Sequence, residues 1–327
     1  MHFDVVFLDV ISNKYYDRTT LENHALGGTE ATVMRIAEAL GQLKLSVAVV
    51  ESKVNYFEPI MGQFCFFLHS DDIPKLTCRH YIQLRRNLNP HLFLKAKKYL
   101  WLHDLASAEE TSQIANIKDN NIQIIGVSRW HKNNIKEYIP NYDNITYIYN
   151  PVLDSIYVDT SAPRSYDKNI MVWAASPHKG LYKAVEMFSK IKLQLPLMQL
   201  IVFNPGYAGL DNVKLSTVPG VTVYGPQNCW TLWSVIQKAL CVFYPTEWKE
   251  TFGLIAAEAN ALGTPILTNS LAALKEVVST DSQFGNTEEE IISQVISWHS
   301  GNRPIVVGRD EFRLSTIVLE WVKLLAK

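Results

Sequence analysis

Residues 241–268 read CVFYPTEWKETFGLIAAEANALGTPILT, and this stretch decides the fold. Cys241 to Tyr244 is a short apolar run of strand length, and Pro265 to Thr268 is a second. Between them, Phe252 to Leu262 is dominated by Ala and Leu and has the length of a short helix. Pro245 to Thr251 is a polar loop opened by proline, so the chain passes from strand to loop to helix to strand. That order implies parallel pairing through a crossover rather than a hairpin.

The same alternation extends in both directions. Upstream in the same half lie strand Ile170 to Ala175, helix Tyr182 to Lys192, strands Gln199 to Phe203 and Val221 to Tyr224, and helix Thr231 to Ala239. The N-terminal half offers strands at Val5 to Val10, Ser46 to Glu51, Cys65 to His69, Tyr99 to His103, Ile122 to Ser128 and Ile145 to Tyr149. Its helices are Glu30 to Leu43, with Val33, Ile36, Ala37 and Leu40 at helical spacing, and Trp130 to Tyr138, for which Ser128 is an N-cap. Residues 150–169, NPVLDSIYVDTSAPRSYDKN, lack periodicity and read as a linker. The expectation is an α/β protein of two Rossmann-like, doubly wound parallel-sheet domains, residues 1–160 and 161–305. Residues 306–327 close the chain with an amphipathic helix, Phe312 to Leu325, that no strand follows.

Composition agrees. A chain of 327 residues, at ~150 per domain, has room for two cores. With 47% hydrophobic and 19% charged residues it is neither disordered nor fibrous. A formal net charge of −1 excludes a bulk electrostatic grip on nucleic acid. Asp4 and Asp9 fall where a signal peptide needs an unbroken apolar core, and no run approaches the 18 apolar residues of a membrane span. Cys65, Cys78, Cys229 and Cys241 show no ligand spacing, so they read as reduced thiols of a cytoplasmic protein, and the sequon at Asn144 needs no glycan. No His, Asp or Glu cluster has metal-ligand spacing, so neither a metal nor a resident cofactor is expected.

In open α/β sheets ligands bind beyond the carboxyl ends of strands, so the loops after strands are where chemistry is expected. In 244–258 the amides of Thr251, Phe252, Gly253 and Leu254 open a helix and form an anion site, and Gly253 lets a ligand approach the backbone. Glu250 stands before the helix and Glu258 about two turns inside it. Spacing alone proves little, because Glu22, Glu30 and Glu38 are also eight apart. As ordinary residues, Glu250 would favour the helix dipole and Glu258 would be a salt-bridged surface group. Lys179, after a strand and before a helix, offers a point charge, and Gly27 and Gly28 open the first long helix with Thr29 as a cap. His103 ends an apolar strand beside Asp104, which could orient its imidazole. Arg85, Arg86, Lys95, Lys97 and Lys98 form a basic stretch that reads as a solvated face or as a contact with anionic lipid headgroups. Tyr15 to His24 reads as a long loop suited to a second substrate.

The segment ETFGLIAAEANALGTPIL, 250–267, resembles the donor-site segment of retaining GT-B glycosyltransferases of the GT4 family, with its E-x7-E motif. Gly27-Gly28-Thr29-Glu30 is similar to the family's GGxE loop and His103-Asp104 to its HD segment. Ser176-Pro177-His178-Lys179-Gly180 resembles its Lys-Gly element, and Gly126 to Trp130 and Ile148 to Pro151 its hinge segments. The resemblance implies two domains facing a cleft, with the closing helix crossing back to the first. It also implies a metal-independent transferase moving a sugar from a nucleotide-diphosphate sugar, a UDP- or GDP-sugar, to a glycan or lipid-linked hydroxyl acceptor. Glu250, His103 and Lys179 would be catalytic. Gly27, Gly28, Ser176, His178, Tyr224, Gly225, Pro226, Thr251 to Leu254 and Glu258 would bind the donor, the last on ribose. One departure is Ala174, where the family usually has an arginine that supplies a second cation to the diphosphate. The alternatives are an epimerase-like nucleotide-sugar enzyme and an inactive glycan-binding module.

Overall fold

The computed structural model describes residues 1–12, 15–17, 20, 25–53, 64–86, 89, 91–159, 165–204 and 215–326. The chain divides into two compact units. Unit 1 comprises Met1–Thr19, Gly28–Pro151 and Glu311–Lys327, and unit 2 comprises Thr20–Gly27 and Val152–Asp310. The expected boundary at 160/161 lies outside the described residues.

Unit 1 holds strands β1 (His2–Asp9), β2 (Val47–Glu51), β3 (Cys65–His69), β4 (Thr77–Leu84), β5 (Lys97–Trp101), β6 (Gln123–Gly126) and β7 (Ile145–Tyr147). They form a seven-stranded sheet, order β3-β2-β1-β4-β5-β6-β7, with every pairing parallel. β4 is absent from the strand set read from the sequence, yet it lies centrally between β1 and β5. Its first half, Thr77 to His80, carries Arg79 and His80 and interrupts the apolar run; only Tyr81 to Leu84 is continuously buried. Helix α1 (Gly28–Gln42) follows β1, and α2 (Arg129–Tyr138) is capped as the sequence indicated, with Ser128 accepting from the His131 amide at 2.9 Å.

Unit 2 holds β8 (Asp167–Trp173), β9 (Gln199–Phe203), β10 (Val221–Tyr224), β11 (Ala239–Tyr244) and β12 (Ile266–Thr268), in the order β10-β9-β8-β11-β12. All pairings are parallel, so the alternation in 241–268 does report the sheet. Among the described residues its helices of eight or more residues are α3 (Leu181–Gln194), α4 (Cys229–Ile236), α5 (Leu254–Ala261) and α6 (Glu288–Ser297). The closing helix, α7 (Leu314–Leu325), belongs to unit 1, where it packs on α1 and buries Trp321 against Trp101 and Phe7, with ring centroids 4.6 and 5.9 Å apart. Among the described residues no helix is long and apolar enough to cross a membrane.

The two strand orders fix where polar chemistry can gather. In unit 1 the chain reverses its direction of sheet growth between β1 and β4, and in unit 2 between β8 and β11. At such switch points the loops from neighbouring carboxyl ends diverge and leave a crevice. Both units carry charged side chains there.

Candidate functional site

In unit 2, β8 ends at Trp173 and β11 at Tyr244, two side-by-side strands whose terminal rings meet edge to face at 5.1 Å. The chain leaves β8 through Ala174 and Ala175 into the 3-10 turn Pro177–Lys179. Gly180 follows at φ 113°, where an added Cβ would lie 3.3 Å from the Pro245 carbonyl oxygen. That left-handed residue lets α3 begin directly and brings Lys179 over the loop after β11. Thr246 Oγ1 donates to the Lys179 carbonyl oxygen at 2.7 Å and accepts from the Trp248 amide at 3.0 Å, which fastens the two loops together.

Across this junction Lys179 Nζ stands 2.7 Å from Glu250 Oε1, and the Tyr244 hydroxyl donates to the same oxygen at 2.5 Å. The Glu250 side chain is only 10% exposed and that of Lys179 24%, so solvent screens the pair weakly. The Glu250 carbonyl oxygen accepts from the Ala273 amide at 3.2 Å. Gly253 then turns the chain at φ 91°, with an added Cβ only 2.8 Å from Leu274 Cδ2. Because Gly253 is the N-cap, α5 starts at Leu254 rather than near Phe252. The first-turn amides without helical acceptors therefore come from Gly253, Leu254 and Ile255, beginning two residues later than the sequence indicated, while Thr251 and Phe252 precede the helix.

Glu258 lies on the buried side of α5 and is 8% exposed, which corrects its reading as a surface group. Its Oε2 accepts from Trp233 Nε1, a neutral donor, at 3.0 Å. Tyr224, the last residue of β10, and Gly225 and Pro226 after it are exposed, with the Tyr224 ring stacked on Phe203 at 5.6 Å. His178 is exposed, with Nδ1 2.9 Å from the hydroxyl of buried Ser176 and its ring edge-on to Trp248 at 4.9 Å. Tyr244 and Trp233 are the site residues that the sequence did not reveal. A tyrosine at the end of an apolar strand and a tryptophan on an amphipathic helix look like core.

In unit 1 the switch point gathers Asp9, Glu30, Glu51 and Arg85. Arg85 corrects the reading of a basic surface stretch: its side chain is 19% exposed, 2.5 Å from Glu30, 3.5 Å from Asp9 and 3.9 Å from Asp104. Lys98 is buried as well, and of that stretch Arg86, Lys95 and Lys97 are exposed. Burial raises the Asp9 carboxyl despite the opposing charge of Arg85. Burial also pushes Glu51 up to about 8, with the Tyr16 amide opposing and Asp9, Asp17 and Glu30 adding to the rise. His103 is buried against Trp101 at 4.5 Å, and desolvation, together with Arg85 and His131, holds its imidazole neutral. The largely exposed Asp104 carboxylate faces Arg85, so the bond expected to orient His103 is replaced by an ion pair. Gly28 and Thr29 are both inside α1, so Thr29 is not its cap, and the division into units falls between Gly27 and Gly28. Of the loop Tyr15 to His24, residues 18–19 and 21–24 lie outside the described residues. Tyr16 within it is fully buried, its hydroxyl on Asp9 at 3.0 Å, which removes it as an exposed substrate contact. Among the described residues no group of three His, Cys, Asp or Glu side chains could hold a metal ion.

The Lys179–Glu250 pair and α5 lie in the part of the chain where a known family matches. Residues 160–295 match the model of the family Glycosyl transferases group 1. The match lies within unit 2 and ends before the return to unit 1. Among solved structures, sucrose-phosphate synthase from Thermosynechococcus elongatus aligns with a TM-score of 0.73 at 15% identity, over 99% of this chain and 98% of that one. Anabaena Alr3699/HepE, solved in complex with UDP and glucose, aligns at 0.66 and 16% identity over the whole of both chains. WaaG, a glycosyltransferase involved in lipopolysaccharide biosynthesis, aligns at 0.68 and 13% over 98% of this chain and 99% of that one. These likenesses establish the GT-B fold, two parallel-sheet α/β domains. No curated protein matches the chain in sequence.

Proposed function

We propose that the protein is a retaining glycosyltransferase of the GT4 type, moving a sugar from a nucleotide-diphosphate sugar to a hydroxyl acceptor on a glycan or a lipid-linked carrier. The family match over 160–295 supports the transferase reading, and the UDP complex of the similar Anabaena protein favours a UDP-sugar. The observation that carries the assignment is the Lys179–Glu250 pair, 2.7 Å apart at the switch point of unit 2 and followed at once by the N-terminus of α5.

The chemistry follows from the charge that the reaction develops. As the bond from the anomeric carbon to the phosphate oxygen breaks, its electron pair collects on the diphosphate and positive charge builds on the sugar. Lys179 and the first-turn amides of α5 are preorganised for that phosphate charge, so they lower the barrier as well as bind. The carboxylate of Glu250 holds the sugar by its hydroxyls and faces its developing positive charge. Glu258, fixed by Trp233, offers its carboxylate to the ribose, and Tyr224 with Gly225 and Pro226 flanks the base. Neutral His103, at the carboxyl end of β5, is suited to a hydrogen bond with a sugar hydroxyl and adds no charge of its own. The acceptor oxygen forms the new bond on the face the phosphate leaves, and a phosphate oxygen takes its proton. Single-cation binding through Lys179, with Ala174 in place of a second, shifts more of the diphosphate charge onto the α5 amides.

Thermal-shift screening against UDP, GDP, ADP and their sugars tests the reading, because a ligand that binds only the folded state raises its melting temperature. Stabilisation by one nucleoside diphosphate is the expected result. With that nucleotide identified, Glu250→Ala should lower transfer at least 100-fold and leave diphosphate affinity within about threefold, whereas Lys179→Ala should weaken both. Stabilisation by none of them would overturn the assignment.

A further inference from the structure

Glu250 Oε1 receives two hydrogen bonds, from Tyr244 at 2.5 Å and from Lys179 at 2.7 Å. Two donors fill the lone pairs of that oxygen, so a third hydroxyl must approach the other one. Oε2 accepts no hydrogen bond among the described residues and is not among the buried unpaired atoms, so it is the open edge of a carboxylate that is otherwise 10% exposed. The two donors differ in stiffness. Lys179 reaches Glu250 by a long, partly exposed side chain from a loop. Tyr244 is the last residue of β11, 1% exposed, and its ring is braced against Trp173.

We infer that Tyr244 is the positioning residue of the donor-sugar site: its phenol fixes the Glu250 carboxylate with Oε2 presented to a sugar hydroxyl, and keeps it there when a diphosphate draws on Lys179. The inference rests on the donor site proposed above and assigns within it a group that touches no substrate. An ammonium has three N–H donors, and only one is spent on Glu250, so Lys179 can turn toward phosphate. When it does, the carboxylate loses a charged partner, and the Tyr244 bond is what remains to hold its rotamer. Had the phenol served only to satisfy its own buried hydroxyl, its loss would affect folding and not discriminate between ligands. As a positioner its loss weakens only ligands that carry the sugar.

Calorimetric titration separates these cases with UDP against UDP-glucose, GDP against GDP-mannose and ADP against ADP-glucose, taking the pair that the wild type binds best. Tyr244→Phe keeps the ring and removes one oxygen. It should raise the Kd of the nucleotide sugar about tenfold, the loss of about one charged hydrogen bond, and that of the bare diphosphate less than twofold. Lys179→Ala should raise both. In a Glu250→Ala background, Tyr244→Phe should have no further effect on the sugar nucleotide, because the group it acts through is gone. Equal changes for sugar and diphosphate, no change, or an undiminished effect without Glu250 would overturn the inference and leave the donor site standing. A wild type that binds none of the six would overturn the donor site and this assignment with it.

Discussion

Glu51 shows how a single buried carboxyl can set a pH dependence. It ends β2, is fully buried, and accepts one hydrogen bond, from the Tyr16 amide at 3.2 Å. Desolvation pushes it up to about 8, and Asp9, Asp17 and Glu30 add to the rise. In the unfolded chain it returns to its ordinary value of 4.5. Between those values the folded state holds a proton that the unfolded state has released, so stability falls as pH rises from about 4.5 to about 8. Above that window the loss is complete. Glu51→Gln retains the acceptor for Tyr16 and removes the titration. It should match the wild type near pH 5 and melt about 10 °C or more higher at pH 8.5, since a rise from 4.5 to about 8 corresponds to a loss of about 5 kcal/mol. Thermal melts at half-unit steps of pH check this; equal slopes for the two proteins would show that Glu51 does not titrate in the window.

At the scale of elements, the loops after neighbouring strands assemble each charged cluster, and unit 1 depends on its cluster for more than solubility. Arg85 follows β4 and bridges Glu30 in the first turn of α1 to Asp9 at the end of β1. Arg85→Ala would leave those carboxylates without a cation in a poorly solvated place, at a cost of about 3 kcal/mol by the usual behaviour of broken buried pairs. Urea denaturation should show the midpoint moving with an unchanged slope. The sequence disclosed the chemistry here unevenly. Lys179, Glu250, Gly253 and Glu258 were legible because loop chemistry leaves polar residues and glycines at fixed offsets around a strand end. β4 and Arg85 were not, because polar residues at the start of a central strand disguise it, and a lone arginine in a basic run looks solvated. The start of α5 was misplaced by a residue or two, since the left-handed turn at Gly253 that sets it is a backbone property with no pattern in composition.

For the whole molecule, the consequence lies in the order in which the chain is used. Unit 1 is begun by Met1, left at Pro151 and finished only by Glu311–Lys327, with the body of unit 2 between. What the last segment contributes is central: Trp321 is fully buried, edge to face with Trp101 of β5 and Phe7 of β1. Those two strands carry Asp9 and lead to His103, so the helix that arrives last supports the polar cluster of the unit that started first. Truncation of such a tryptophan removes its transfer energy and leaves a cavity, about 3–5 kcal/mol together. Trp321→Ala should therefore speed amide exchange in β1, β4 and β5 by about a hundredfold or more, in proportion to that loss. Exchange in β8, β9 and β11 should keep its wild-type rate if each unit is stabilised by its own core. Hydrogen-exchange mass spectrometry resolves these strands individually. Equal acceleration in both sheets would mean instead that the two units unfold as one, and that the closing helix governs the stability of the sheet carrying Lys179 and Glu250 as well as of its own.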